Sequence, residues 1–222
     1  GAHATGSVAV FVDHTGERSM GSGHGADFYL LPSELPTNVV AEAAHLHLTA
    51  WSLFTDPPRS AARRAATVAK AAGARLSLDP GSFQMIGEMG VEQFLSVTTD
   101  LGVDVFLPNK EEAEVLTGQP DPEVACRALA EIYPGALIVI KLDADGALVG
   151  GPDGSTHVPP RSNKLVDATG AGDSFAGAFL SKLITGADPV IAAEFAVRVA
   201  EWVIEHPGAR PRPGPALHKI IG

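Results

Sequence analysis

The run Ala136-Leu137-Ile138-Val139-Ile140 is apolar at every position, with no alternation of polar and apolar side chains. A strand with one wet face alternates, so a strand of this kind must be covered on both faces. Other strand-like runs stand at Leu46–Thr49, Arg75–Asp79 and Val103–Leu107. Between them lie helical patterns at Pro57–Gly73, Val91–Leu101, Glu111–Leu116 and Pro122–Ile132, the first and third closed by Gly73 and Gly118. Strands that alternate with helices pair in parallel, because a parallel crossover needs about a helix of chain. The expected fold class is therefore α/β, with a mostly parallel central sheet between two helical layers, in a single domain spanning 1–222.

Downstream, Ala147-Leu148-Val149 is expected to pair with the residues after the Asp153-Gly154 turn. Helices follow over Gly172–Ile184 and Pro189–Glu205, the second opened by proline in its favoured first position. At the front, Ser7–Asp13 reads as a strand, His14-Thr15-Gly16-Glu17 as a turn, and Arg18-Ser19 as a short return leading into a glycine-rich loop. Ligands of open parallel sheets gather at the carboxyl ends of the strands. Thr49, Asp79, Asn109 and Lys141 each fall at or just past such an end.

The chain has 222 residues, 45% hydrophobic and 19% charged, with a formal net charge of -10. No stripe of clustered Lys and Arg is present, which argues against a nucleic-acid partner. No apolar run approaches the length that spans a bilayer, and no charged segment leads into an apolar one at the start, so no membrane partner and a cytoplasmic location are the expectations. The single cysteine, Cys126, excludes an internal disulfide and reads as a buried helix thiol.

The segment Asp167-Ala168-Thr169-Gly170-Ala171-Gly172-Asp173-Ser174-Phe175-Ala176-Gly177-Ala178-Phe179-Leu180 carries the chemistry. It is a turn of small residues that runs straight into a helix. Glycine lets the backbone approach a ligand closely, and the first helical N–H groups lack internal partners. Such a terminus favours phosphate or developing negative charge. Asp173 in that first turn would repel a phosphate, unless its task is to take a proton from an attacking hydroxyl. By itself an aspartate there is also an ordinary response to the helix dipole.

The whole string resembles the C-terminal signature of the ribokinase-like (PfkB) carbohydrate kinases. Pro108-Asn109-Lys110-Glu111-Glu112-Ala113-Glu114 is similar to that family's N-x-x-E element, Lys141–Ala147 to the segment lining its nucleotide site, and Leu78-Asp79-Pro80 to a strand end before a substrate-side loop. Thr5-Gly6 and Asp13–Arg18 match more loosely the region around the family's lid strands. The resemblance implies a ribokinase-like α/β/α fold, with residues 1–30 lid-associated and 40–222 the nucleotide-binding and catalytic core. It implies a kinase that transfers the γ-phosphoryl of ATP to a hydroxyl of a small sugar-like substrate, with magnesium and, in potassium-activated members, K+.

Carried over residue by residue, Asp173 would be the general base. The N–H groups of Gly170, Ala171 and Gly172 would form the anion hole. Asn109, Lys141, Asp143, Gly146, Gly172 and Gly208 would face the nucleotide. Glu112 would help place magnesium, largely through water, and Asp167 and Thr169 would hold a monovalent cation. A homodimer through the lid is a further expectation. Asp143 stands where many relatives have glycine, and Val197 follows Phe195-Ala196 where many have asparagine. The family's first sheet strand, its early sugar-contacting aspartate and its Gly-Gly motif have no counterpart here, so the N-terminal strands and part of the lid are expected to be missing. Ribose, fructose, a keto-deoxy sugar acid and a nucleoside all stay open as acceptors. The alternative is a catalytically silent nucleotide-binding or scaffold protein of the same fold.

Other patterns carry less. Gly21-Ser22-Gly23-His24-Gly25-Ala26 fits a loose dinucleotide pattern, but Asp27-Phe28-Tyr29-Leu30 reads as extended, and a helix must open after such a motif. A flexible loop is the expectation. No G-x-x-x-x-G-K occurs. The eight histidines, His45 and His47 among them, read as structural or surface residues rather than metal ligands. Asp56 with Arg59, Arg63 and Arg64 reads as a solvated helix face.

Overall fold

The structure is a computed structural model, which describes residues 3–14, 18–162 and 164–222. The first elements in chain order are β1 (Ser7–Val12), β2 (Arg18–Gly23), α1 (Thr37–Glu42), β3 (His45–Thr49), α2 (Pro58–Ala71), β4 (Arg75–Asp79), α3 (Phe83–Met89), α4 (Val91–Thr99) and β5 (Val105–Phe106). They continue with α5 (Lys110–Thr117), α6 (Pro122–Ile132), β6 (Leu137–Lys141), β7 (Ala147–Gly151), β8 (Gly154–Val158), α7 (Ala171–Ile184), α8 (Pro189–Ile204) and α9 (Pro215–Ile221). Strands β3-β4-β5-β6-β7-β8 form a six-stranded sheet in that order, and β1-β2 a separate two-stranded one. The alternation of strands and helices read from the sequence is the alternation observed.

The chain divides into two compact units. The first holds Gly23–Ile140, with short stretches up to Ser7 and over Gly150–Ser155. In it β3 pairs with β4, β4 with β5 and β5 with β6, all parallel, with Thr49 opposite Asp79 and Phe106 opposite Ile138. Leu76, Leu78, Val105, Phe106, Ile138 and Ile140 are fully buried, as parallel strands covered on both faces require, and in β4 the polar Ser77 is buried with them. The alanine face of α2, with Ala61 and Ala69 fully buried, allows close approach to the sheet. Deep in the same unit the Tyr133 hydroxyl and Thr98 Oγ1 share a 2.7 Å hydrogen bond. Cys126 is buried on α6, as expected, and burial pushes its thiol up to about 11.

The second unit holds Val8–Ser22, Lys141–Val149 and Thr156–Gly222. Its core lies along α7 and α8, where Phe175, Phe179, Ala192, Ala193 and Ala196 are buried. Asp188 opens α8 by accepting the N–H of Val190 at 2.8 Å, one residue ahead of the expected proline. Among the described residues, no helix is long and apolar enough to cross a membrane.

Several local readings are corrected. Gly21-Ser22-Gly23 is not loop but the end of β2, paired with β1. Of the extended run expected over Asp27–Leu30 only Leu30 is extended, because Ala26–Tyr29 forms a single 3-10 turn closed by Phe28 N–H to Gly25 O at 3.0 Å. Its rings stack on histidines rather than alternating in and out: Tyr29 on His3 and Phe28 on His24, at centroid distances of 3.8 and 4.0 Å. The strand expected over Val103–Leu107 narrows to Val105–Phe106, although Asp104 N–H and Leu107 N–H still reach the carbonyls of Leu76 and Leu78. Helices α1, α3 and α9 were not anticipated, being seven residues or fewer, too short to show a period. The turn residues Thr15, Gly16 and Glu17 lie outside the described residues.

Candidate active site

The second unit gathers most of the residues singled out in the sequence. β6 ends at Lys141, and the chain then turns within a few residues: Leu142 N–H donates to Gly146 O at 2.8 Å, and Asp145 N–H to Leu142 O at 2.9 Å. Asp143 sits at φ +51, the one non-glycine residue among those described with positive φ. A residue other than glycine rarely adopts that region, so the glycine that the resemblance leads one to expect here would have a backbone reason.

The approach to α7 is built on Gly170. Its φ of +82 and its contact with Ala209, whose carbonyl oxygen would lie 2.6 Å from any added Cβ, leave no room for another residue. As the N-cap of α7, Gly170 presents no side chain to the first turn, which begins at Ala171, one residue earlier than the sequence suggested. Asp173 lies in that first turn and is exposed, while Ala171 and Gly172 are half-buried. The Lys141 ammonium is 3.6 Å from where a Cβ on Gly172 would stand, so the end of β6 and the start of α7 meet at this turn. A lysine and a helix N-terminus together make a strongly anion-favouring spot.

Asp167, 7% exposed, fixes the chain before the turn. Its Oδ1 accepts the N–H of Thr169 at 2.9 Å and its Oδ2 the N–H of Gly208 at 2.8 Å. The Thr169 hydroxyl is buried and without a hydrogen-bond partner. Buried hydroxyls are almost always satisfied, so an orphaned one beside a buried carboxylate fits a bound cation at this place. Gly146, with φ +88 and Val158 O 2.1 Å from an added Cβ, serves the turn's tightness.

Asn109 and Glu112 belong to the first unit, where they close on each other. Asn109 Oδ1 accepts Glu112 N–H at 2.7 Å and Glu112 Oε2 accepts Asn109 N–H at 2.8 Å, a reciprocal cap at the start of α5. Glu112 is 2% exposed. Asp79, at the end of β4, accepts Gly81 N–H at 3.1 Å. Val197, where the resemblance led to an expectation of asparagine, is buried within α8 and packs as a core residue. His45 and His47 are structural, both bonded to the Ser77 hydroxyl at 2.8 and 2.7 Å. Arg59 is not on a solvated face, since it donates to the carbonyls of Leu53 and Phe54 at 2.6 and 2.7 Å. Among the described residues, no group of three or more His, Cys, Asp or Glu could hold a metal.

Residues that sequence reading missed are Glu201, Ile204 and Glu205, which tie the last turns of α8 to the segment leading into Asp167. No motif marks them, because their partners lie about forty positions away in sequence.

The model of the pfkB family of carbohydrate kinases matches residues 1–215. The chain belongs to that family. Among curated relatives of this pfkB protein, the ATP-dependent 6-phosphofructokinase of Thermoanaerobacterium thermosaccharolyticum is 26% identical over 83% of the chain, which spans 57% of that relative. Among solved structures, the adenosine kinase of Sinorhizobium meliloti superposes with a TM-score of 0.90 at 26% identity, over 98% of this chain and 66% of that one. A Vibrio cholerae fructokinase, solved with fructose, ADP and calcium ion, has a TM-score of 0.79 at 28% identity, covering 94% of this chain and 70% of its own. The ribokinase-like α/β fold is thus confirmed, while the acceptors in these names range from a sugar phosphate to a nucleoside.

Proposed function

We propose that the protein is an ATP-dependent kinase phosphorylating a hydroxyl of a sugar or sugar-like molecule, with Asp173 as the general base. The observation that carries this reading is an exposed carboxylate in the first turn of α7, immediately after a glycine turn pressed against Ala209 and beside the Lys141 ammonium. An exposed carboxylate at this turn is open to an approaching hydroxyl and can accept its proton. The N–H groups of Gly170 and Gly172 would then face the charge that builds on the transferred group, and that of Ala171, which here donates to Ala168 O at 3.2 Å, would join them only on release from that carbonyl. Phosphoryl transfer needs mainly positioning and charge neutralisation, which such a turn supplies without moving.

MgATP, when bound, supplies the phosphoryl group and metal charge at its oxygens. Lys141, Asp143, Gly146 and Gly208 would line the nucleotide, and Asn109 with Glu112 would orient magnesium through water. Asp167 and Thr169 would hold a monovalent cation, and the orphaned Thr169 hydroxyl supports that assignment. The ADP in the Vibrio cholerae fructokinase structure supports an adenine nucleotide. A silent nucleotide-binding protein of the same fold is the second reading, favoured by the aspartate at Asp143 and by the burial of Val197.

The deciding experiment is ADP release with magnesium and potassium across a panel of sugars, sugar phosphates and nucleosides. Turnover with one class is expected, falling about 10²–10⁴-fold in Asp173→Asn, the usual worth of a positioned base. No turnover with any acceptor, or an unchanged rate in Asp173→Asn, would exclude the kinase mechanism.

A further inference from the structure

The C-terminal turns of α8 end on a set of acceptors directed at one segment of chain. Glu201 Oε1 accepts the N–H groups of Arg161 and of Ser162, the latter at 2.9 Å. Glu205 Oε1 accepts the Ser162 hydroxyl at 2.7 Å. The Ile204 carbonyl, one of those left over at a helix end, accepts both Val166 N–H at 2.8 Å and Asp167 N–H at 3.1 Å. Just beyond the helix, Gly208 N–H returns to Asp167 Oδ2 and Ala209 backs Gly170. Asp167 and the glycine turn are therefore referenced to one helix end, from upstream by Arg161-Ser162 and from downstream by Gly208-Ala209.

We propose that Glu201 is a positioning residue for phosphoryl transfer. It fixes the chain at Arg161-Ser162, so that Val166 and Asp167 meet the Ile204 carbonyl in one register and the Gly170–Gly172 turn is presented in one place. This role rests on the kinase reading of that turn. Two backbone donors converging on a single carboxylate oxygen define direction more narrowly than one. Arg161 is exposed and Ser162 half-buried, so water can replace the lost acceptor and the fold loses little. Catalysis is less forgiving, because a displacement of about 1 Å at a reacting centre costs up to 10²-fold in rate. Glutamine keeps a side-chain oxygen able to accept both N–H groups; alanine does not.

The test compares wild type, Glu201→Ala and Glu201→Gln in the full chain by kcat, KM for the acceptor, thermal midpoint, and amide exchange at Val166 and Asp167. In Glu201→Ala, kcat should fall at least tenfold with KM for the acceptor within about threefold, and exchange at both amides should speed up at least tenfold. Glu201→Gln should restore kcat and protection to within about threefold of wild type. Unchanged kcat in Glu201→Ala, or a Gln variant as impaired as the Ala variant, would overturn the role. A wild type that turns over no acceptor overturns the kinase reading itself and this role with it. A wild type that turns over while Glu201→Ala matches it overturns the role alone.

Discussion

Asp143 holds a backbone angle that glycine adopts more readily than any other residue. At φ +51 it occupies the left-handed region, where an L-residue is disfavoured by about 1–2 kcal/mol and where aspartate is among the better-tolerated side chains. Glycine relieves the steric cost but gives back part of it as unfolded-chain entropy. Asp143→Gly should therefore be more stable than Asp143→Ala by about 1 kcal/mol, read from urea midpoints at constant slope. Equal midpoints would mean that the turn from Leu142 to Gly146 imposes no left-handed requirement. Asp173 was legible as a residue because glycine spacing and a following helix are both local signals. That Lys141 stands beside Gly172 was not, since thirty-one positions of chain separate them and only the fold brings them together.

Among the elements, α7 and its preceding turn were read almost to the residue, because small residues, an acidic first turn and an apolar face all agree there. The two-residue β5 and the glycine-bearing β2 were read less well: pairing partners, not composition, decide strands so short. Gly170→Ala puts the reading of the α7 turn at risk. Its Cβ would lie 2.6 Å from the Ala209 carbonyl oxygen at φ +82, so the turn or the Ala209 loop must shift. A loss of roughly 1–3 kcal/mol in stability is expected, with a fall in kcat of about 10²-fold or more as the N–H groups leave their line. Gly177→Ala, with nothing within 4 Å of its added Cβ, is the matched control and should be neutral or better in stability.

The β3-β4 pair makes a prediction of its own. Burial first, then the neighbouring His47 and Arg75, hold His45 below its ordinary 6.5, with Asp104 opposing. The unfolded chain thus takes up a proton that the native chain resists as pH falls through 6.5. Stability present above that pH should be lost progressively below it. The thermal midpoint should drop between about pH 7 and 5, and the drop should shrink in His45→Gln, whose amide can still reach the Ser77 hydroxyl. An identical pH profile in the two proteins would remove His45 from that account.

For the whole molecule, the sequence placed the chain in the α/β class through its all-apolar strands, and the family match bears that out. The acceptor stayed illegible for a physical reason. The candidate turn from Asp167 to Asp173 is one contiguous stretch of chain, whereas the matched proteins range in name from a phosphofructokinase to an adenosine kinase and a fructokinase. Net charge, by contrast, belongs to the molecule as a whole. At -10 the protein repels an anion at long range, while on the proposed reading Lys141 and the start of α7 would attract the nucleotide at close range. The two effects separate with salt, because the screening length shortens from about 30 Å at 0.01 M to about 8 Å at 0.15 M. With potassium and magnesium fixed and tetramethylammonium chloride varied, kcat/KM for MgATP should rise over that range and then level off. The KM for an uncharged acceptor should stay constant. A steady fall in kcat/KM would show instead that the local field at Lys141 governs capture, and that the acidic surface lies too far from the nucleotide's path to be felt.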